Sequence, residues 1–228
     1  MFILSRPDGA LPESFQNQIR QLVIDHVGEL SSVAITSSNP LYPLYQYGVG
    51  LEVHQYLQAL DGTRGLAVQV LLALDGDAPD QLLGFALALP AQDDPQACAL
   101  AFLAVSPAHR RQGIARALIN DLRGRFACLE LSTFANQVPW FEAMGLQAVS
   151  ASGPQVLMSS TGQASGALIG RLDIAPIYQT LEVRQIHAYL LKQHGEEAMI
   201  EAEHQRDERL DELAELARAC VKARKTVH

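Results

Sequence analysis

Residues 103–118 read LAVSPAHRRQGIARAL, so an apolar run ends in a proline turn and an arginine-rich loop leads into a helical pattern. The apolar residues that follow repeat about every four positions, which predicts a helix over residues 113–125 with one face against a core. The first turn of such a helix presents unpaired N–H groups and the positive end of the helix dipole, which together attract anions. Gly113 and Ala115 lack bulk, so a phosphate group can approach the backbone closely.

Arginines cluster in this segment although the protein as a whole is acidic. The formal net charge of the 228 residues is -8. Asp121 is the single acidic residue of the loop and helix, against five arginines. This local reversal of charge indicates a polyphosphate ligand. The alternative is a solvated helix whose charges need no ligand. The arginines are Arg110, Arg111, Arg116, Arg123 and Arg125.

The composition limits the classes of protein to which the chain can belong. Hydrophobic residues make up 48% and charged residues 18% of the chain, which is typical of a folded protein with a large core. Three scattered cysteines without a CxxC pair argue against disulfides and against a metal site. The acidic balance argues against nucleic acid as a partner, and no apolar stretch is long enough to span a membrane. We therefore expect a cytoplasmic protein without metal, membrane or nucleic-acid partners.

Hydrophobic periodicity predicts an α/β chain in its first 160 residues. A strand near residues 2–6 and a helix near 12–27 come first. Residues 31–50 contain prolines and glycines, which predicts a loop before a short helix at 51–60. Three apolar runs between turn clusters predict an antiparallel meander that is buried on both faces. The runs are residues 66–74, 82–89 and 98–105. The later elements are a strand at 128–132, a short helix at 137–144 and a hairpin over 146–159.

The charge pattern changes near residue 177. Every lysine lies within residues 177–228, which are also richer in charge than the rest of the chain. Such a change is typical of the boundary between a compact domain and a helical appendage. The predicted organisation is therefore a domain over residues 1–160, a linker or edge segment over 161–176, and a helical extension over 177–228.

The extension is predicted to be helical from Leu181, with a bend near Gly195. Its second half carries apolar residues at three- and four-residue spacing, like a short coiled-coil seam. These residues are Leu210, Leu213, Leu216, Ala217, Cys220 and Val221. Because the middle of this helix is highly charged, we expect it to project into solvent and to pair with a second copy as a homodimer, or with a partner. The alternative is that the apolar stripe packs back on the parent domain.

The segment at residues 103–118 resembles motif A of the GNAT acyltransferase superfamily, whose signature is V-x-P-x-x-[RQ]-x-x-G-x-[GA]. The matching positions are Val105, Pro107, Arg110, Gly113 and Ala115. The predicted order of elements over residues 1–160 resembles the same family. The resemblance implies a GNAT-like fold, in which a mixed and mostly antiparallel sheet is flanked by helices. Here that fold would carry a C-terminal helical extension.

The resemblance also implies an activity, namely acyl-CoA-dependent N-acyl transfer. Acetyl-CoA is the expected donor. The expected acceptor is an amine, which attacks the acyl group of the donor directly. In the family, the loop amides hold the pyrophosphate of coenzyme A and the preceding strand pairs with its pantetheine arm. The implied cofactor-binding residues are Leu103, Ala104, Val105, Arg110, Arg111, Gln112, Gly113, Ile114, Ala115 and Arg116. Residues 136–146 are similar to a second family segment, N…[FL]-Y-x-x-x-G-[FL], which adds Asn136 as a cofactor contact.

Two groups that family members usually carry are missing from their places in this chain. Phe141 stands where a tyrosine often protonates the leaving thiolate, and the strand before motif A holds no glutamate that could act as a base. The candidate catalytic residues are therefore the backbone N–H of Val105 as donor to the thioester carbonyl, Glu130 as base and Tyr45 as proton source. The alternative bases are Asp93 and Asp94, and a solvated or structural role is the more common one for each of the three carboxylates.

Other interpretations of these residues stay open at this stage. Trp140 and Phe141 are consistent with ordinary core aromatics. The tyrosines at 42, 45, 47 and 56 either line an acceptor site or anchor a loop against the core. Without the usual catalytic groups, the chain is also consistent with a non-catalytic acyl-CoA-binding or regulatory module whose C-terminal helices bind a partner. Release of free thiol in the presence of an amine distinguishes the enzyme from the module.

Overall fold

A mixed seven-stranded sheet forms the centre of the computed structural model, which describes residues 1–62 and 64–225. The strands are β1 (Phe2–Ser5), β2 (Gln69–Asp75), β3 (Leu82–Pro90), β4 (Ala97–Val105), β5 (Cys128–Thr133), β6 (Gln147–Ser152) and β7 (Gln155–Ser159). Their order is β1-β2-β3-β4-β5-β7-β6. The β4–β5 pair is parallel and the other pairs are antiparallel. The predicted mixed, mostly antiparallel sheet is confirmed.

Helices cover both faces of this sheet. They are α1 (Glu13–Asp25), α2 (Val27–Leu30), α3 (Tyr42–Gln58), α4 (Ile114–Arg125), α5 (Val138–Glu142), α6 (Leu181–His194) and α7 (Glu196–Lys225). One apolar core lies between the sheet and α1 with α3, and a second lies between the sheet and α4. No helix within the described ranges has the length and apolarity to cross a membrane.

The meander β2–β3–β4 is buried on both faces, as its continuous apolar runs predict. Alternate residues of β3 enter the two cores: Phe85 and Leu87 face the helices α1 and α3, whereas Ala86 and Ala88 face α4. All four side chains are fully buried. Because helices cover both faces, neither face of these strands can carry polar side chains without an unpaired polar group in a core.

The prediction of a loop over residues 31–50 is wrong for its second half, because α3 begins at Tyr42. Pro43 lies in the first turn of the helix, where a missing N–H costs nothing. Gly48 and Gly50 lie inside the helix where neighbours approach closely. A Cβ atom at Gly48 would come within 2.7 Å of the Tyr178 hydroxyl oxygen, and one at Gly50 within 3.2 Å of the Ile24 side chain. These glycines mark close packing, which local sequence patterns do not distinguish from a turn.

The long helix α7 packs on the parent domain, so the expectation that it projects into solvent is wrong. Gly195, with φ of 84°, separates α6 from α7 as predicted. Met199 and Ala202 pack beside α3 in a third apolar cluster, and Ala217 and Val221 enter the core beneath α4. Both ends of the helix thus contact the domain, and its charged residues form the outer face. This packing is consistent with the alternative that the apolar stripe of the helix packs back on the parent domain.

Residues 161–176 connect β7 to the C-terminal helices and pass the end of the central strand β3. Ile169 forms an isolated β-bridge with Ala91, and Leu172 N donates a hydrogen bond of 3.1 Å to the Tyr56 hydroxyl. The tyrosine hydroxyl therefore fixes this segment, which supports the anchoring role for Tyr56. Residues 161–176 are therefore held against the domain. The predicted boundaries at residues 160 and 177 separate parts of the chain that pack on one another.

Glu52 in α3 predicts a pH-dependent stability. Burial raises its pKa from the ordinary 4.5 to about 7, and Arg171 offsets part of this rise. Because the pKa of Glu52 is higher in the folded than in the unfolded state, protonation of this carboxyl stabilises the fold. The contribution is complete below pH 4.5 and is lost as the pH rises through 7. We expect Glu52→Gln to stabilise the protein by about 3 kcal/mol at pH 8 and to have little effect at pH 4.5. Urea unfolding of both proteins across this range tests the expectation, and parallel stability curves would contradict it.

Candidate functional site

The loop before α4 leads into an N-terminal helical turn at the position that the sequence predicts for anion binding. Gly113 is the N-cap with φ of 82°, and Arg111 also has a positive φ, 62°. Left-handed residues in a tight loop are typical of backbone nests, in which amides converge on an anion. Ala117 N donates to Gly113 O at 2.9 Å, so the amides of residues 113–116 precede the first helical bond. Among the residues that the structure describes, no side-chain hydrogen bond caps the helix, and a Cβ atom at Gly113 would meet nothing within 4 Å.

A cavity of 290 Å³ lies at this terminus and is lined by Arg111, Arg116 and the backbone of the loop. Two of the arginines that contribute to the charge cluster in sequence have other roles. Arg123 donates to Met144 O at 2.7 Å, and Arg125 lies 3.2 Å from the Asp121 carboxylate. The positive charge at the terminus therefore comes from its first turn and loop, and the arginines at the far end of α4 stabilise the fold.

Strands β4 and β5 separate beside this terminus. They pair only where Ala97–Ala99 faces Cys128–Glu130, yet β4 continues to Val105 and β5 to Thr133. A bulge in β4 accompanies the separation, because Leu87 pairs with Phe102 while Ala88 pairs with Leu100, which leaves Ala101 as the extra residue. Bulges bend a strand and end its pairing. The result is a V-shaped opening between the two strands.

Three adjoining cavities connect this opening with the terminus of α4. The narrow cavity of 70 Å³ lies between the diverging strands, a middle cavity of 320 Å³ follows along β4, and the cavity of 290 Å³ completes the row. Leu103 and Phe141 line both the narrow and the middle cavities. Val105, Arg110 and Trp140 line both the middle cavity and the one at the terminus. We name this row of cavities the β4 channel.

The β4 channel brings together nearly all the residues that the resemblance implies for the cofactor. Those that line it are Leu103, Ala104, Val105, Arg110, Arg111, Gly113, Ile114, Ala115, Arg116 and Asn136. Gln112 lies in the same loop, where its side chain donates to Ala108 O at 3.4 Å. Val105 lies where the middle cavity meets the terminus, away from the narrow end. Its role as a donor to the thioester carbonyl stays a prediction.

The other predicted catalytic residues do not line the β4 channel. The Glu130 carboxylate accepts a hydrogen bond from Ser165 N, and the Tyr45 hydroxyl accepts one from Arg206 at 3.4 Å. Asp93 accepts from Leu168 N at 2.7 Å, which gives it a structural role. Asp94 similarly accepts from Gln96 N at 2.8 Å. These carboxylates fix loops around the sheet, and their roles in catalysis stay predictions without support from the geometry.

The two aromatic residues at 140 and 141 differ in their surroundings. Phe141 is buried, with 7% of its surface exposed, whereas Trp140 is 48% exposed. Their rings pack edge to face with centroids 4.6 Å apart. Phe141 therefore meets the expectation of a core aromatic, but it also lines the channel at the place where a tyrosine hydroxyl was expected. Trp140 forms part of the channel wall and presents a large apolar surface to it.

Two polar residues of the site, His26 and Glu29, are missed by the sequence analysis. Both line the middle cavity, with Glu29 on α2 and His26 immediately before it. Arg110 forms an ion pair with Glu29 at 3.1 Å. Their spacing of three residues only weakly indicates that the two side chains share a helix face. It does not indicate that Glu29 pairs with Arg110. Only the packing of α1 against the sheet brings them to the channel.

The diverging strands β4 and β5 and the glycine-capped N-terminus of α4 are features of the GNAT-like fold that the resemblance implies. Residues 39–146 match the Acetyltransferase (GNAT) family, and the chain carries a domain of this family. The sequence prediction of the family is thereby confirmed.

Solved structures with the same fold are distant in sequence. The chain resembles the PaiA N-acetyltransferase from Thermoplasma acidophilum in complex with coenzyme A, with 12% identity and a TM-score of 0.52 over 69% of this chain and 98% of that one. It also resembles aminoglycoside 6'-acetyltransferase type Ii, with 18% identity and a TM-score of 0.51 over 75% and 99% of the two chains. No curated protein matches the chain in sequence. These similarities show the fold.

Proposed function

We propose that the protein is an acetyl-CoA-dependent N-acetyltransferase that transfers the acetyl group to an amine by direct attack. The observation that carries the proposal is the continuous β4 channel, which joins an anion-binding helix terminus to a narrow cleft between diverging strands. An elongated ligand with a polyphosphate at one end and a slender arm at the other matches this shape and charge.

The residues of the channel fit coenzyme A from one end to the other. The amides of residues 113–116, with Arg111 and Arg116, supply donors and positive charge for a pyrophosphate. The edge of β4 that turns away from β5 offers backbone groups for the amides of the pantetheine arm, over residues 103–105. Asn136 offers a side-chain amide beside the middle cavity. The similar PaiA structure contains coenzyme A, which supports this assignment.

An amine acceptor is supported by the family and by the chemistry of a thioester donor. A thioester supplies an activated acyl group whose thiolate leaves readily, so a missing acid at Phe141 does not exclude transfer. The two similar structures are described as acetyltransferases, one of them for an aminoglycoside, which carries amino groups. The acidic net charge of -8 favours a cationic acceptor at long range.

Calorimetry with acetyl-CoA and with acetyl-pantetheine tests the donor assignment. We expect micromolar binding of acetyl-CoA and at least about 100-fold weaker binding of acetyl-pantetheine, because it lacks the phosphates that the α4 terminus would hold. Equal binding of the two ligands, or none, would refute the assignment. Free thiol released from acetyl-CoA across a panel of amines then tests the activity. Tight binding without release for any amine would favour the non-catalytic module.

Two further expectations stay predictions for this protein, namely a cytoplasmic location and a homodimer formed through the C-terminal helices. Leu213, Ala217 and Val221 of the apolar seam of α7 are buried, whereas Leu216 of the same seam is exposed. A second copy would therefore have to contact the apolar side chains that α6 and α7 leave exposed. These are Leu181, Tyr189, Leu191, Ile200 and Leu216.

A further inference from the structure

A carboxylate, an imidazole and a guanidinium meet at the side of the β4 channel. Arg110 donates through Nη1 to Glu29 Oε1 at 3.2 Å and through Nη2 to Oε2 at 3.1 Å. Its Nη2 also lies 3.4 Å from His26 Nδ1, which in turn lies 3.8 Å from Glu29 Oε1. The Nε of the same guanidinium donates to Val105 O at 3.2 Å. Arg110 thus ties α2 to the end of β4, and the carboxylate is held in one orientation.

Glu29 lies at the narrow end of the β4 channel, beside the diverging strands. It lines both the narrow and the middle cavities, as does Phe141. Among the residues that line these two cavities, the charged or titratable side chains are His26, Glu29 and Arg110. The Glu29 side chain is 54% exposed, so a ligand in the channel can reach it. The carboxylates predicted from sequence instead accept hydrogen bonds from loop amides.

We propose that Glu29 is the general base of the transfer reaction and that His26 and Arg110 are positioning residues that orient its carboxylate. The proposal rests on the proposed acetyltransferase function. The Glu29 carboxylate takes one proton from the acceptor ammonium, either directly or through one water molecule. The amine nitrogen then forms a bond to the acyl carbon while the bond between that carbon and sulfur breaks. The second proton of the nitrogen leaves with the thiolate sulfur, which gives the amide and the free thiol.

Arg110 links this base to the binding of the donor. It lies between the Glu29 carboxylate and the anion-binding terminus, since it lines both the middle cavity and the one at α4. The Glu29 carboxylate offsets part of the positive charge that Arg110 presents near the terminus. Removal of the Glu29 charge therefore favours binding of the polyanionic donor while it removes the base. Opposite effects on binding and on turnover are the signature of this arrangement.

The test compares Glu29→Gln with Glu13→Gln, which removes an equal charge from the exposed first turn of α1. For Glu29→Gln we expect kcat at pH 7 to fall by about 100-fold. The remaining activity rises about tenfold per pH unit, because only the amine that is already neutral can react. Calorimetry with coenzyme A is expected to give equal or several-fold tighter binding. Glu29→Asp, which keeps a carboxylate, restores part of the rate, and Glu13→Gln behaves as wild type.

Two results would overturn the role of Glu29 while the proposed function stands. One is a kcat of Glu29→Gln within threefold of an active wild type. The other is a lower kcat with weaker coenzyme A binding and an unchanged pH profile, which identifies a structural partner of Arg110. If the wild-type protein itself releases no thiol with any amine, the proposed acetyltransferase function fails, and the role of Glu29 fails with it. The wild-type assay therefore separates the two failures.

Discussion

Gly113→Glu is expected to weaken the binding of acetyl-CoA strongly. The new carboxylate projects from the N-cap of α4 into the open space where the pyrophosphate is proposed to lie. It also repels the phosphates and neutralises part of the positive helix terminus. We expect the dissociation constant to increase by about 100-fold or more, which corresponds to about 2.7 kcal/mol. Calorimetry with the purified variant measures this change directly.

The backbone conformation at Gly113 requires a matched control. With φ of 82°, any side chain at this position costs about 1 kcal/mol or more in stability, regardless of its charge. Gly113→Asn introduces a side chain that tolerates the left-handed region and carries no charge. We expect it to remain folded and to bind acetyl-CoA within about tenfold of wild type. Normal binding by a folded Gly113→Glu variant would show that the phosphates lie elsewhere.

Ala217→Asp is expected to be the most destabilising single substitution in the C-terminal helices. Ala217 has 0% of its surface exposed and lies in the core that α4 shares with the sheet. A carboxylate there is buried without a partner, so we expect a loss of about 3 to 5 kcal/mol in the free energy of unfolding. Such a loss is a large part of the stability of a typical domain. Urea unfolding followed by circular dichroism measures it.

The adjacent residue supplies the control for this prediction. Leu216 lies on the same turn of α7 but is 51% exposed, so Leu216→Asp is expected to change the stability by less than about 1 kcal/mol. If Ala217→Asp does not fold, Ala217→Ser provides a milder test, with an expected loss of about 1 to 2 kcal/mol. Equal and small effects at 216 and 217 would show that the helix projects into solvent. Equal and large effects would indicate that a second surface covers Leu216.

The local sequence is sufficient for those parts of the fold that neighbouring residues define. The four-residue period of α4, the glycine at its N-cap and the apolar runs of β2, β3 and β4 each depend on a few consecutive positions. The element order and the position of the α4 terminus could therefore be predicted, and nearly all the predicted cofactor residues line the channel. The prediction failed at α3, because its glycines serve contacts with α1 and with Tyr178 that are distant in sequence.

The remaining features depend on long-range packing, which no local pattern contains. Glu29 and Arg110 are 81 residues apart, and they meet because α1 and α2 pack beside the end of β4. The divergence of β4 from β5 depends on register, and register is a property of two strands at once. The apolar stripe of α7 fits either its own domain or a partner equally well, since burial of apolar surface is not directional. Sequence alone thus determined the terminus that would hold the phosphates, whereas the tertiary structure decided the channel, its acidic residue and the surface that the last helix covers.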